Sequence, residues 1–207
     1  MRVMTLVVAL AALAPPATAL DVSIDLRGGW SHLTQASNSA QAVLGARGGS
    51  VWGGAAGVIV KDHFGITLSA RRFSETGERV FVADPAAPVF PLGHPVSLKL
   101  TPVLLSLSYR FRPDAAFTPY AGLGGGRVSF EEVSSVAGVT ERESASHREF
   151  HALAGLEFGP GRLRAGVELQ YSTIPNAIGI GGVSALYGED NLGGFSVLGR
   201  LIFIIGR

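Results

Sequence analysis

Side chains that could act as nucleophile, base and acid lie close together at Ser146, His147 and Glu149. A serine nucleophile needs its histidine base within hydrogen-bond reach. Consecutive side chains of a strand point to opposite faces, so Ser146 and His147 would meet only if the chain curled there. The pattern leaves a catalytic site open as an alternative, but it does not favour one.

The five histidines are candidates for metal ligands. No two of them are predicted to lie at i, i+4 on one helix, because His147 and His151 straddle the boundary between a loop and a strand. The chain has no cysteine, which excludes disulfides, thiolate catalysis and thiolate metal ligands. We therefore predict no metal site.

A glycine run, with glycine at 122, 124 and 126, could belong to a phosphate-binding loop. The dinucleotide fingerprint requires a further glycine where Arg127 stands, and no helix is predicted to follow. In a strand, glycines instead relieve crowding and let the strand bend. We therefore predict no cofactor.

The composition combines many apolar residues with few charges. Hydrophobic residues make up 47% of the chain and charged residues 16%, and 17 Lys and Arg residues nearly balance 16 Asp and Glu residues. A net charge of +1 leaves no basic face for a phosphate backbone, so we predict no nucleic-acid partner. The apolar surface must be buried somewhere, yet no long helix is evident.

Residues 1–19 have the pattern of a secretory signal peptide. Arg2 precedes an apolar stretch that is too short to span a bilayer, and small residues end the segment at Ala17–Thr18–Ala19. We therefore predict two regions, a cleaved signal peptide over 1–19 and one exported domain over 20–207. An exported chain without cysteine after its signal also lacks the attachment point of a lipoprotein.

The elements that position the remaining polar residues are strands. From Leu20, apolar and polar residues alternate with the period of two that indicates a strand, and the same pattern returns from Leu163 to Tyr171. Eight such segments are predicted, over residues 20–30, 50–60, 64–74, 96–111, 120–131, 150–158, 163–171 and 195–205.

The connections between these strands alternate strictly between long and short. The long ones cover residues 31–49, 75–95, 132–148 and 172–194, and the short ones 61–63, 112–119 and 159–162. Long outer loops and tight periplasmic turns are typical of a transmembrane β-barrel. Pro102 interrupts one strand, which indicates either a bulge or a strand that extends beyond the membrane.

Aromatic residues are predicted to form two belts at the ends of these strands, as in outer-membrane barrels. The outer belt would contain Trp30, Trp52, Phe73, Phe130, Phe150, Tyr171 and Phe195. The inner belt would contain Phe64, Tyr109, Phe111, Tyr120, Phe158 and Phe203.

The segment Thr118–Gly126, with its Pro-Tyr-Ala-Gly start, resembles a strand common in the outer-membrane β-barrel domain family, the small eight-stranded barrels of the OmpA, OmpX and OmpW type. The resemblance extends over the whole chain in its layout. It implies an all-β, eight-stranded antiparallel transmembrane barrel in the bacterial outer membrane, inserted by the barrel assembly machinery and surrounded by outer-membrane lipids and lipopolysaccharide. Such barrels usually end in phenylalanine, whereas this chain ends in Arg207.

With the apolar faces toward lipid, the scarce charged residues and one glutamine are predicted to point into the barrel. These positions are Asp25, Arg27, Arg110, Glu157, Arg164, Glu168, Gln170 and Arg200, with Arg71 and Arg127 expected to join them. The interior of an eight-stranded barrel is just wide enough for side chains to fill it, so these groups should pair and close the lumen.

The sequence thus predicts a non-enzymatic barrel with a plugged polar lumen and a structural or surface-interaction role through its outer loops, whose ligand it does not name. Two alternatives stay open. The first is a small channel for small or apolar solutes, and the second is a lipid-modifying barrel enzyme.

Overall fold

The computed structural model describes residues 20–113, 115–136, 138–159 and 161–206, so the predicted signal peptide lies outside the described residues. Eight antiparallel strands form a closed barrel in which each pairs with its neighbours in sequence and the last pairs with the first. They are β1 Leu20–His32, β2 Gly48–Val60, β3 Phe64–Phe81, β4 Phe90–Arg110, β5 Phe117–Val136, β6 Val139–Phe158, β7 Leu163–Thr173 and β8 Gly194–Ile205. The predicted all-β fold is confirmed.

The strands turn their apolar residues outward, as β7 shows most simply. Leu163, Val167 and Leu169 are exposed on the outer surface, while Arg164 and Glu168 between them are buried inside. Alternation that puts apolar side chains outside and polar ones inside is the pattern of a strand that faces lipid. The outer surface of the barrel is therefore where much of the chain's apolar surface lies.

The strands fall into two groups by length. β1, β2, β7 and β8 have 11 to 13 residues, whereas β3 to β6 have 18 to 21. The loops predicted over 75–95 and 132–148 are consequently wrong, because most of their residues extend the β3–β4 and β5–β6 hairpins. Beyond the membrane both faces of a hairpin can meet water, so the alternation that marks a lipid-facing strand is lost there.

Pro102 does not cause a bulge. Its strand β4 keeps a continuous register on both sides, with Pro102 opposite Val128 of β5, and it runs for 21 residues. The register shift between β3 and β4 lies farther out, between Glu78 and Val80. The prediction of a bulge at Pro102 is therefore wrong. The length of β4, 21 residues, exceeds the roughly 9–11 residues that a strand needs to span a bilayer, as the second alternative requires.

Helical turns occupy the two outer connections that remain long. The β1–β2 connection contains a 3-10 turn, Thr34–Ala36, and helix α1, Ser37–Leu44, while the β7–β8 connection contains helix α2, Gly182–Leu186. Glu189, just after α2, accepts hydrogen bonds from the backbone N–H groups of Asn38 and Ser39 at 3.0 and 2.9 Å. Among the described residues, no helix is long and apolar enough to cross a membrane.

An apolar cluster fills the outer half of the lumen beneath α1. Its buried members come from the barrel wall and from both outer connections, and they are Leu33, Ala36, Ala40, Phe73, Leu98, Leu100, Val128, Phe130, Ile174, Ala177 and Leu192. The outer half of the lumen is therefore mainly apolar, and a smaller apolar cluster of Ile59, Ile202 and Ile204 lies at the inner end. The belt assignments of Phe73, Phe130 and Tyr120 are wrong, because all three side chains are buried inside the barrel.

Candidate functional site

The inner half of the lumen contains a network of ion pairs centred on β1 and β8. Arg27 and Arg200 lie opposite each other in the strand register. Asp25 lies between them, 2.7 Å from Nε of Arg27 and 3.1 Å from Nε of Arg200. Two like charges can be opposed inside the barrel because this carboxylate accepts hydrogen bonds from both guanidinium groups.

Glu168 of β7, the strand next to β8, pairs with the same two arginines. Its Oε1 lies 3.0 Å from Nη1 of Arg27, and its Oε2 lies 3.3 Å from Nη1 of Arg200. The hydroxyl of Tyr120 donates a hydrogen bond to Glu168 Oε2 at 2.9 Å, and the Arg200 guanidinium lies 5.2 Å from the centre of the Tyr120 ring. Glu168 is almost fully buried, so these partners replace its hydration.

A second branch of the network runs toward the periplasmic turns. Glu157 of β6 pairs with Arg110 of β4 and, at 3.4 Å, with Nη1 of Arg164. Arg164 also donates a hydrogen bond to the backbone carbonyl of Pro113 at 3.3 Å. Arg200 lies 3.7 Å from Glu157 Oε1 and so links this branch to the centre. The branch ties the barrel wall to the turn between β4 and β5.

The structure therefore brings all seven charged residues of the predicted network together inside the lumen. Gln170 and Arg71 lie in a separate cluster around Glu149, with Arg71 Nη2 3.7 Å and Gln170 Nε2 3.5 Å from Glu149 Oε1. The expectation for Arg127 is wrong, since its side chain is exposed on the outer surface of β5. Tyr120 and Val128 of β5 are buried at even positions, so an odd position on this strand faces outward.

Sequence reasoning missed Tyr120 as part of the network and His151 as part of the lumen. The inward position of each side chain depends on a glycine directly opposite it on the neighbouring strand, which leaves room for the ring. A Cβ atom on Gly155 would lie 2.3 Å from Cζ of Tyr120, and one on Gly124 would lie 2.8 Å from Cε1 of His151. A glycine that faces inward beside a large polar residue could have indicated these positions. That pairing can be recognised only when the strand register is known.

The hydroxyl, imidazole and carboxylate at 146–149 do not form a catalytic site. Ser146 is exposed on the outer surface, whereas Glu149 is buried in the lumen and His147 packs edge-on against Phe130. A different pair does form inside the lumen, where Ser106 Oγ lies 2.9 Å from Nε2 of His151. The other ring nitrogen of His151 has no hydrogen-bond partner among the described residues, so no acid orients this histidine.

The cavities within the lumen are small in its lower and middle parts. One of about 30 Å³ lies beside Tyr120, Glu168 and Arg200, and another of about 40 Å³ lies beside Arg71 and Glu149. Spaces of this size hold one or two water molecules. A much larger cavity of about 670 Å³ lies at the outer end, lined mainly by apolar residues of α1, β4 and the β7–β8 connection.

Glu132 and Glu143 lie opposite each other on β5 and β6 at the wall of this outer cavity, beyond the membrane-spanning part of the barrel. Burial raises the pKa of Glu132, and the nearby carboxylate of Glu143 raises it further, while Arg79 opposes the shift. Arg79 also pairs with Glu141 at 2.9 Å.

A closed eight-stranded barrel with an apolar outer surface and a charged interior defines the outer-membrane β-barrel class of proteins. Solved structures of that class share the fold. The N-terminal β-barrel domain of Pseudomonas aeruginosa OprF is 14% identical, with 89% of this chain and 97% of that chain covered and a TM-score of 0.50. Neisserial surface protein A is 13% identical, with 91% and 97% covered and a TM-score of 0.53.

Ail, the attachment invasion locus protein of Yersinia pestis, is 14% identical, with 90% of this chain and 99% of that chain covered and a TM-score of 0.53. These likenesses confirm the predicted outer-membrane barrel at the level of the fold. No sequence family profile matches the chain, and no curated protein resembles it in sequence.

Proposed function

We propose that the protein is a non-enzymatic outer-membrane barrel with a closed lumen, which presents the extended β3–β6 wall and its outer connections at the cell surface. The wall reaches far beyond the membrane: Val136 lies nine residue steps beyond Arg127 on β5, which at roughly 3.3 Å per step is about 30 Å along the strand. A barrel with this shape acts through its outer surface rather than through its interior.

The observation that carries the proposal is that two different layers block the lumen. Across the inner half, the ion pairs of Asp25, Arg27, Glu168 and Arg200 join the neighbouring strands β7, β8 and β1, and Tyr120 of β5 reaches Glu168 from across the lumen. Across the outer half, the apolar side chains of the buried cluster, including Ala40 of α1, pack together, and several of them also line the outer cavity. A solute would have to displace both layers, and separating buried ion pairs costs several kcal/mol each.

A non-enzymatic role is supported by the chemistry of the two serine–histidine combinations. Ser146 and His147 point to opposite sides of the sheet. Ser106 and His151 are both buried, with exposed fractions of 5% and 6%. Among the residues described, no carboxylate accepts a hydrogen bond from the other ring nitrogen of His151. A nucleophile without an oriented base or access for a substrate does not support hydrolysis.

Solute entry into lipid vesicles tests the closed lumen. We expect vesicles that contain the refolded protein to exclude small sugars as well as protein-free vesicles do, while flotation shows that the protein is inserted. Migration that differs between boiled and unboiled samples would show that the barrel is folded. Steady sugar entry or a stable open channel in planar bilayers, with folded protein, would overturn the proposal.

The outer cavity supports a second candidate function, the binding of a small apolar molecule. Its volume of about 670 Å³ is in the range of small-molecule sites, and its lining includes Ala40, Leu44, Leu98 and Ile178. We expect a fluorescent apolar probe to bind and Ala40→Phe to weaken its binding. Ala152→Phe, the same change on the outer surface of β6, should leave binding unchanged; equal binding by all three proteins would argue against the cavity.

A further inference from the structure

The outer border of the apolar surface differs between two sides of the barrel. On β1, β2, β6, β7 and β8 it carries exposed aromatic residues, which are Trp30, Trp52, Phe150, Tyr171 and Phe195. On β3 and β5 the aromatic residues near this height, Phe73 and Phe130, turn into the lumen instead. Their outward neighbours are Arg72 and Ser129. One side of the barrel therefore replaces its aromatic belt with polar and basic groups.

We call this region the basic face and define it by four cations and four hydroxyl groups on adjacent strands. They are Arg72, Lys99, Arg127, Arg148, Thr101, Ser129, Ser144 and Ser146. The strand register sets them in rows. In the first row, Arg127 of β5 lies opposite Arg148 of β6. In the second row, Ser129 of β5 lies between Thr101 of β4 and Ser146 of β6. In the third row, Glu131 of β5 lies between Lys99 of β4 and Ser144 of β6.

The pair Arg127 and Arg148 is unusual because like charges directly opposite each other destabilise a sheet. Both side chains are exposed. In the part of the chain that the structure describes, neither guanidinium group has an ion-pair or side-chain hydrogen-bond partner, and the same holds for Arg72. Only Lys99 is neutralised, with its Nζ 3.3 Å from Glu131 Oε1. The basic face thus carries positive charge that its own strands do not balance.

The height of this charge is fixed by the residues below it. Two residues inward along the strands, Gly125 lies opposite Phe150, whose side chain is 54% exposed. A step of two residues is about 7 Å, and lipid-facing Leu123 follows two residues farther in along β5, while lipid-facing Val103 of β4 lies directly opposite Arg127. The arginines therefore lie just above the apolar surface, at the level where lipid headgroups meet the barrel.

A groove runs along the basic face. It has a volume of about 480 Å³ and is lined by Arg72, Lys99, Thr101, Ser129, Phe130, Glu131, Ser144, Ala145 and Ser146. Arg127 and Arg148 do not line it but lie directly below it, two residues inward of Ser129 and Ser146 along β5 and β6. Guanidinium groups bind phosphate oxygens with two parallel hydrogen bonds, and hydroxyl groups can donate further ones. A single ligand that covers both the groove and the apolar surface beneath it needs a phosphorylated headgroup and hydrocarbon chains.

We propose that the basic face binds a phosphorylated glycolipid of the outer leaflet. Arg127 and Arg148 hold one phosphate between them, Arg72 and the hydroxyl row contact the headgroup, and the acyl chains lie on Val103, Leu105 and Leu123. This inference deepens the proposed function by naming the partner of one outer surface. It rests on the proposed function in that the long outer ends of β3 to β6 must face the cell exterior.

The test uses the refolded full barrel in phosphatidylcholine vesicles with either bisphosphorylated lipid A or the same lipid without its phosphates. The readout is the temperature at which the folded, heat-modifiable band is lost. We expect the phosphorylated lipid to raise this temperature for the wild type. The double variant Arg127→Gln and Arg148→Gln should lose that rise, while Arg47→Gln with Arg142→Gln, exposed residues away from the apolar border, should keep it.

Three results would overturn the proposal: no rise for the wild type, an equal rise for the Arg127→Gln and Arg148→Gln variant, or a rise of the same size with free inorganic phosphate and no phosphorylated lipid. If the first double variant does not fold, the same comparison is made with Arg148→Lys, which keeps the charge but loses the paired hydrogen bonds and should retain only part of the rise. Vesicle leakage is a separate measurement, so an open lumen would remove the closed-barrel proposal and leave this one standing.

Discussion

The two halves of the lumen are filled in opposite ways. The inner half is held by directional contacts, such as those of Glu168 with Arg27, Arg200 and Tyr120. The outer half is held by apolar packing, in which Phe73 and Phe130 are buried against residues of the loops. The inner half therefore depends on every partner being present, whereas the outer half depends on volume. Substitutions should separate these two kinds of dependence.

Glu168→Ala should have the largest effect, because it leaves Arg27 and Arg200 buried with less negative charge beside them. Breaking a buried pair in this way costs about 3–5 kcal/mol. The measurement is the free energy of unfolding in urea, with the protein in lipid vesicles. Glu131→Ala, which removes the half-exposed partner of Lys99, is the control and should cost no more than about 1 kcal/mol. Equal costs would show that the inner network is not a stabilising unit.

Leu100→Ala should have the next largest effect, because this buried residue belongs to the apolar cluster. The loss of packing and the cavity left behind cost about 3 kcal/mol. Leu100→Met nearly conserves volume and should cost less than about 1.5 kcal/mol. Unfolding in urea again provides the measurement. If Met were as costly as Ala, volume would not be what holds the outer half.

Glu189→Gln should have a smaller and local effect. The carboxylate accepts hydrogen bonds from the N–H groups of Asn38 and Ser39 at the start of α1, where negative charge is favourable. Loss of that charge should weaken α1 by about 1 kcal/mol. Hydrogen exchange of the α1 amides should become faster, with exchange in β7 unchanged. Unchanged exchange in α1 would mean that apolar packing alone holds the helix.

Glu132→Gln should have the smallest effect, and one that depends on pH. Since burial and Glu143 raise the pKa of Glu132 in the folded state, the folded barrel binds its proton more tightly than the unfolded chain does. The wild type should therefore lose stability as the pH rises above the unfolded pKa of about 4.3, until it passes the folded pKa. The variant should lack this loss and be the more stable protein at neutral pH. Parallel pH profiles for the two proteins would contradict the assignment.

The lipid-facing strands were predictable because lipid on one side and a polar lumen on the other impose strict alternation. Leu163 to Tyr171 shows this, and its strand β7 ends within two residues of the prediction. The outer parts of β3 to β6 were not predictable in the same way. Residues 132–148 lack alternation, because a hairpin outside the membrane has no lipid face.

The charged network was predictable in its members but not in its contacts. Asp25 and Arg27 reveal their inward direction by alternating with Ile24 and Leu26. The partner of each arginine depends on which strands lie next to or near each other in the closed barrel, and on glycines such as Gly155 that make room for Tyr120. These relations connect residues far apart in the chain, so only the register supplies them.

The sequence by itself determined that the chain forms a membrane-type barrel, because a period of two over eight segments admits one arrangement in lipid. The tertiary structure alone decided what fills the barrel. Inward-facing Phe73, Leu100 and Phe130 look like any apolar residues in the sequence, and it is closure of the wall that buries them together with α1. Closure likewise leaves Arg127 and Arg148 side by side on the outside, because inward and outward positions follow from the register and not from residue type.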